Sequence, residues 1–332
     1  MKAIFLNERN SAIDSVYPDY VKKRLYGTYE FPPEYITPDK FGKYKEYLAD
    51  TEYIFSTWGM PALTKEQIEK HFPRLKAVFY AAGSVRGFAE PFLLSGIKVF
   101  GARQANAIPV AEYVVSQILL AGKGFFQAAG HIKEDFGKAA VFCGNFKGNF
   151  KAKVGIIEAG AISFKVMEEL VKHGLEIFLY SGWMTEKEAK SLGVKLASLE
   201  QIFSECGVIS NHLADTEETA GLIDRKLIFS MTDYSAFINT GRGRQVDHDA
   251  LADKLESNPT VTALLDVTYP EPLPKGSKLL KLPNVFITPH IAGSKGNEVW
   301  RMSEYMLDES VNLTNGKGAK HEITTDMLKY LA

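Results

Sequence analysis

The sequence predicts an α/β protein of two domains with parallel sheets, on three observations. Strand-like and helix-like segments alternate almost throughout. The strand segments are apolar on both faces, as strands covered by helices on either side must be. The length, 332 residues, divides into about two domains of ordinary size. Composition agrees: 45% hydrophobic and 24% charged residues describe a globular chain with a sizeable core. The 39 basic against 40 acidic side chains leave a net charge of −1, without the basic excess that nucleic acid or an anionic membrane demands. Two cysteines, Cys143 and Cys206, build neither a disulfide framework nor an all-cysteine zinc site, and suit a reducing compartment. Met1–Asn7 reads as a short strand followed by charge, unlike a secretory signal. The most apolar window, Pro109–Gly122, is interrupted by Glu112 and is too short to span a bilayer. The expectation is a cytoplasmic, water-soluble protein.

In the first hundred residues the strand candidates are Ala3–Leu6, Tyr53–Ser56, Ala77–Tyr80 and Lys98–Phe100. Between them, Thr64–His71 is helical, with Thr64 as cap and Gln67 completing a capping box. A long helix is expected over Asn106–Gly122, capped by Asn106 with Pro109 in its first turn. Its apolar residues Val110, Val114, Ile118 and Ala121 share one face, and Val115 and Leu119 widen it. We read it as the element where the chain enters its second domain. Phe142–Phe150, with Gly-Asn-Phe written twice, reads as a loop. From Lys153 the alternation is strict, with strands at Val154–Ile157, Leu175–Tyr180, Val208–Ser210, Ala236–Asn239, Val261–Asp266 and Val285–Ile287. A helix from about Asn297 to Asn312 follows, through which the chain returns to the first domain.

The turn after Val154–Ile157, Glu158-Ala159-Gly160-Ala161-Ile162-Ser163, is compared with the G-x-G-x-x-G of dinucleotide sites, where a glycine turn aims a helix N-terminus at the pyrophosphate. Only the middle glycine remains, Gly160, which lets backbone approach phosphate. Ser163 is small enough to keep helix and strand close. Glu158 adds a Cβ at a tight turn and sets a negative charge near the pyrophosphate. About twenty residues on, the acid that holds the ribose of NAD is absent, the strand ending Tyr180-Ser181-Gly182. Its absence opens the site to NADP as well as NAD, with Lys187 and Lys190 nearby on a helix.

Three later segments carry more chemistry. Ile238–Gly243 puts Arg242 just past one strand, Leu265–Pro272 puts Glu271 in a proline-stiffened turn after the next, and Ile287–Gly293 puts His290 directly after the third. All three therefore stand at C-terminal ends of parallel strands, where open α/β sheets bind ligands. Exchange of a hydride between a 2-hydroxy acid and a nicotinamide needs a cation for the substrate carboxylate, an acid/base near neutral pH, and a carboxylate to orient that base. Arginine, histidine and glutamate suit these tasks in turn.

On these motifs the chain resembles the D-isomer-specific 2-hydroxyacid dehydrogenases, from about Phe79 to Gly316. The segments His212-Leu213-Ala214 and Val110-Ala111-Glu112-Tyr113 are similar to that family's recurring ones, and Ala81–Val85 is similar to its substrate loop. The resemblance implies two Rossmann-like or flavodoxin-like domains with parallel sheets: a catalytic domain from 1–103 and 295–332, and a nucleotide-binding domain, 104–294, inserted into it. It implies Arg242, Glu271 and His290 as the catalytic set. For NAD or NADP it implies contacts from Gly160, Ala161, Ile162, Ser181, Ala214, Thr240, Gly241, Asp266 and Gly293, and for substrate from Trp58, Gly83, Ser84 and Arg242. A homodimer joined through the nucleotide domains is implied too. The alternative is a nucleotide-binding regulator on the same fold without turnover, since Glu158, Ser163 and Ser181 depart from the family pattern. The remaining histidines show no metal spacing, and no metal is expected.

Overall fold

The computed structural model of the chain describes residues 1–329. Its first apolar runs form four parallel strands, β1 (Lys2–Phe5), β2 (Thr51–Ser56), β3 (Ala77–Tyr80) and β4 (Lys98–Gly101), neighbours in that order. Because side chains alternate between faces of a strand, two cores arise from one sheet. Ile4, Ile54 and Val78 pack into one cluster, whereas Ala3, Phe5, Phe55 and Phe79 pack into another. On that second face Phe55, Phe79 and Phe100 stack from strand to strand with centroids 5.0 Å apart. Thr64 and Gln67 form the expected capping box ahead of the helix Lys65–His71.

Seven strands build the second sheet: β5 (Lys153–Ile157), β6 (Glu176–Tyr180), β7 (Lys195–Leu196), β8 (Val208–Asn211), β9 (Ala236–Asn239), β10 (Thr262–Leu265) and β11 (Val285–Ile287). All pair in parallel, in the order β11-β10-β9-β8-β5-β6-β7. The order reverses between β5 and β8, the switch point at whose carboxyl side ligands bind in doubly wound sheets. Both faces are again buried, with Ile156, Leu179 and Ile238 in one cluster and Ile157, Ile209 and Phe237 in the other.

The chain then adds the helix Glu298–Thr314 and a short strand, β12 (Glu322–Ile323), antiparallel to β4 at the edge of the first sheet. Two compact units result, Met1–Asn106 with the segment from Ser294, and Ala107–Gly293.

Three local expectations are corrected. The long helix begins at Arg103 and ends at Ala121, so Asn106 lies inside it and Pro109 beyond its first turn. Asn106 does not cap the helix; its Oδ1 accepts the Ser294 N–H at 3.0 Å. Phe142 and Cys143 belong to the helix Phe136–Cys143, whose cap is Asp135, so irregular chain starts only at Gly144. Among the described residues no single helix is long and apolar enough to cross a membrane; the bent pair Arg103–Ala121 and Phe125–His131 reaches that apolarity only together. Val110, Val114, Ile118 and Ala121 are instead buried in the second unit's core.

Candidate active site

Strands β9, β10 and β11 are neighbours, and the loops leaving their C-terminal ends carry Arg242, Glu271 and His290. The arginine turn is held by a buried amide network. Asn211 Nδ2 donates to Asn239 Oδ1 at 3.0 Å and to Gln245 Oε1 at 2.7 Å, and those oxygens accept the N–H groups of Gly241 and Arg242. Gly243 follows directly, and here glycine is obligatory. A Cβ would stand 2.0 Å from the Thr268 carbonyl carbon. The turn of Arg242 therefore abuts the backbone of the loop that carries Glu271. Arg242 is half-buried, and its Nη1 donates to the Gly241 carbonyl at 2.8 Å.

Asp266, at the end of β10, organises the histidine loop. Its Oδ1 accepts the Thr288 hydroxyl at 2.6 Å and the Ile291 N–H at 2.7 Å, while Oδ2 accepts the Ala292 N–H at 2.9 Å. Tyr113 donates in turn to Thr288 Oγ1 at 3.1 Å. Between these anchors His290 is held at φ +55, with its N–H on the Thr288 and Asp266 carbonyls. The left-handed residue carries its imidazole to Glu271, with Nδ1 2.8 Å from Oε1. Since a carboxylate only accepts, the proton of this bond sits on Nδ1, and Nε2 is the nitrogen left for chemistry. The pair is exposed, at 49% and 43%. A second histidine supports the same loop. His248 Nε2 accepts the Tyr269 N–H at 3.3 Å, while Nδ1–H donates to the Val246 carbonyl. Burial lowers the affinity of His248 for a proton, which suits this neutral role.

At the switch point, Gly160 precedes the helix Ala161–Leu170. Its φ of −160 is open to any residue, so its use lies in the absent side chain; a Cβ there meets nothing within 4 Å. The N–H groups of the first helical turn, those of Ala161 and Ile162 included, have no intrahelical acceptor. Ser163 is fully buried and its Oγ accepts the Gly160 N–H at 2.7 Å. The expected charge of Glu158 over the pyrophosphate is not what the turn shows. Glu158 adopts φ +74, and its Oε1 accepts the Ser181 hydroxyl at 2.7 Å and the Ala159 N–H at 2.8 Å. Thr240, beside Gly241, has a buried Oγ1 without a partner, and the Ala214 carbonyl accepts from Thr219 and Gln245. Open space above Gly160, free helix N–H groups and an orphaned hydroxyl fit a dinucleotide. Gly293 closes this unit.

His212 is a packed strand-end residue, with Nε2 3.0 Å from Ser210 Oγ and its imidazole pushed down to about 4 by burial. Among the described residues no three His, Cys, Asp or Glu side chains group as a metal site. In the first unit, Trp58 follows β2 and is 44% exposed, and Gly83 and Ser84 follow β3. Asn7 Nδ2 donates to the carbonyls of Thr57 and Trp58, and the Thr57 hydroxyl donates to the Ala81 carbonyl at 2.8 Å, so these loops are tied together. Asn211, Gln245 and His248 were not singled out from the sequence. Asn211 ends the buried strand β8, whereas Gln245 closes the short turn Gly243–Gln245 and His248 opens the helix His248–Ser257.

Residues 118–292 match the family described as D-isomer specific 2-hydroxyacid dehydrogenase, NAD binding domain. The chain is 29% identical over 229 residues to a D-3-phosphoglycerate dehydrogenase of Archaeoglobus fulgidus, covering 69% of this chain and 43% of that protein. It is 27% identical over 260 residues to a glyoxylate reductase of Korarchaeum cryptofilum, covering 77% and 78%. A phosphoglycerate oxidoreductase from Rhizobium etli has a crystal structure similar at TM-score 0.81 and 22% identity, over 98% of this chain and 99% of that one, a likeness of fold. The chain spans less than half the length of the phosphoglycerate dehydrogenases it matches.

Proposed function

The chain belongs to the D-isomer specific 2-hydroxyacid dehydrogenases, and from that membership we propose that it exchanges a hydride between NAD(P)H and a 2-keto acid, forming the D-2-hydroxy acid. The observation that carries the proposal is the His290–Glu271 pair at 2.8 Å on adjacent strand-end loops. A regulator without turnover has no use for an oriented, exposed imidazole.

The residues then act as follows. Arg242 offers a planar fork to the substrate carboxylate and polarises the keto group. From the first unit, the resemblance implies Gly83, Ser84 and Trp58 as further substrate contacts. His290 Nε2 delivers a proton to the carbonyl oxygen, and takes it back in the reverse direction. Glu271 accepts the Nδ1–H throughout, fixing the ring and stabilising the imidazolium before transfer. Gly160, Ala161 and Ile162 hold the pyrophosphate, and Thr240, Gly241, Ala214, Asp266, Ser181 and Gly293 complete the berth. When bound, the reduced nicotinamide supplies the hydride that the keto carbon accepts.

The same reading makes the protein a cytoplasmic homodimer. Its two free cysteines suit a reducing compartment. In support of the dimer, Phe136, Val141 and Phe150 of the nucleotide-binding unit are 74–76% exposed. The experiment is a panel of glyoxylate, hydroxypyruvate, pyruvate and larger keto acids with NADH and NADPH, followed by loss of reduced-nicotinamide absorbance. Turnover supports the proposal; binding without turnover on the whole panel refutes it in favour of a regulator.

A further inference from the structure

We infer that Glu158 selects the unphosphorylated adenosine ribose, so that this chain discriminates against NADP from its first turn rather than from the end of its second strand. The inference rests on the reading of this turn as a dinucleotide site.

In doubly wound folds the acid at the end of the second strand accepts the ribose 2′-hydroxyl of NAD and repels a 2′-phosphate. Here β6 ends in Tyr180-Ser181-Gly182 and carries no such acid. Its neighbour supplies one. Ile157 and Tyr180 are partners in the β5–β6 ladder, so the residues after them leave the sheet side by side. Glu158 occupies the place of the first glycine at φ +74, a conformation that L-residues adopt only at a cost. That backbone brings its carboxylate across to the tip of β6. Oε1 accepts the Ser181 hydroxyl at 2.7 Å and its own turn's Ala159 N–H, while Oε2 lies 3.4 Å from the Gly182 N–H.

None of these donors is cationic, so the negative charge stands unneutralised by them at the ribose end of the site. Oε1 is satisfied by two donors; Oε2 has one long contact and keeps acceptor capacity for a hydroxyl. A phosphate has only acceptors to offer it at that point. Lys187 and Lys190, the cations that a 2′-phosphate would seek, are exposed on the helix Glu186–Ser191, which also carries Glu186 and Glu188. The acid missing from β6 is thus replaced from β5, and Ser181 becomes the residue that orients it.

The test measures binding rather than turnover. The chain is titrated with NADH and separately with NADPH, followed by quenching of tryptophan fluorescence and by calorimetry. Wild type is expected to bind NADH at least about tenfold more tightly. Glu158→Gln keeps the shape and removes the charge, and is expected to narrow that ratio about tenfold, chiefly by gaining NADPH affinity. Glu158→Gly relieves the positive-φ strain, so it guards against a folding failure, and is expected to narrow the ratio as well. Ser181→Ala leaves the charge but frees its position, and narrows the ratio less. A ratio unmoved in both Glu158 variants, or a wild type that prefers NADPH, overturns the inference while leaving the dinucleotide site standing. A wild type that binds neither nucleotide overturns that site and the inference with it.

Discussion

Replacing Asp266 with asparagine removes the brace of the histidine loop at a single atom. The side chain is 3% exposed and accepts three hydrogen bonds, from Thr288 Oγ, Ile291 N and Ala292 N. An amide keeps one acceptor and turns an NH2 group toward a donor that the second carboxylate oxygen served. A lost charge-assisted bond costs about 1.5–3 kcal/mol and a buried N–H left unpaired about 1–3 kcal/mol, and the two overlap. The net expectation is a loss of about 3 kcal/mol, or roughly 6–12 °C in Tm for a domain of this size. Thermal unfolding by circular dichroism reads the loss, and turnover on the best keto acid falls with it because His290 is no longer held at φ +55. An Asp266→Asn variant that melts within about 2 °C of wild type would refute the brace.

Four further outcomes follow from the same geometry. His290→Gln lowers turnover about 10²–10⁴-fold while NADH affinity measured by fluorescence stays put. Glu271→Gln keeps volume but weakens the hold on Nδ1; because the pair is about half exposed, kcat falls only about tenfold to hundredfold, with KM little changed. Gly243→Ala sets a Cβ 2.0 Å from the Thr268 carbonyl carbon, where backbone cannot yield. It costs about 2 kcal/mol in denaturant unfolding and about a hundredfold in kcat/KM by parting the arginine and glutamate loops. For His212, burial lowers the folded value from 6.5 to about 4, so the unfolded chain takes up its proton first. Stability from this group is complete above 6.5 and is lost as pH falls from 6.5 toward 4, by about 3 kcal/mol at most. Urea unfolding at neutral and acid pH checks this, and His212→Asn flattens the slope.

The strands of both sheets were legible because their residues are apolar on both faces, a pattern that a parallel sheet imposes and few other structures do. Ala236–Asn239 and Val285–Ile287 stand where the sequence puts them. The two-residue strands β7 and β12 were not legible, since two residues carry no period. Asn106 reads as a cap because its type favours one, yet its side chain serves the Ser294 backbone, a partner far along the chain. The nearness of the His290 and Glu271 loops follows from strand order, which alternation with helices already implies. The path of the Glu158 carboxylate does not, because it depends on the sign of one φ and on the register of β5 with β6.

Hydride transfer at the Arg242, Glu271 and His290 site is tested most directly with NADH carrying deuterium at both positions of its reactive carbon. The protein, a reactive keto acid and this donor should yield the 2-hydroxy acid as a single D enantiomer with deuterium on the carbinol carbon, and His290→Gln should yield almost none. A product that is L or racemic, or that carries no deuterium, would contradict the account.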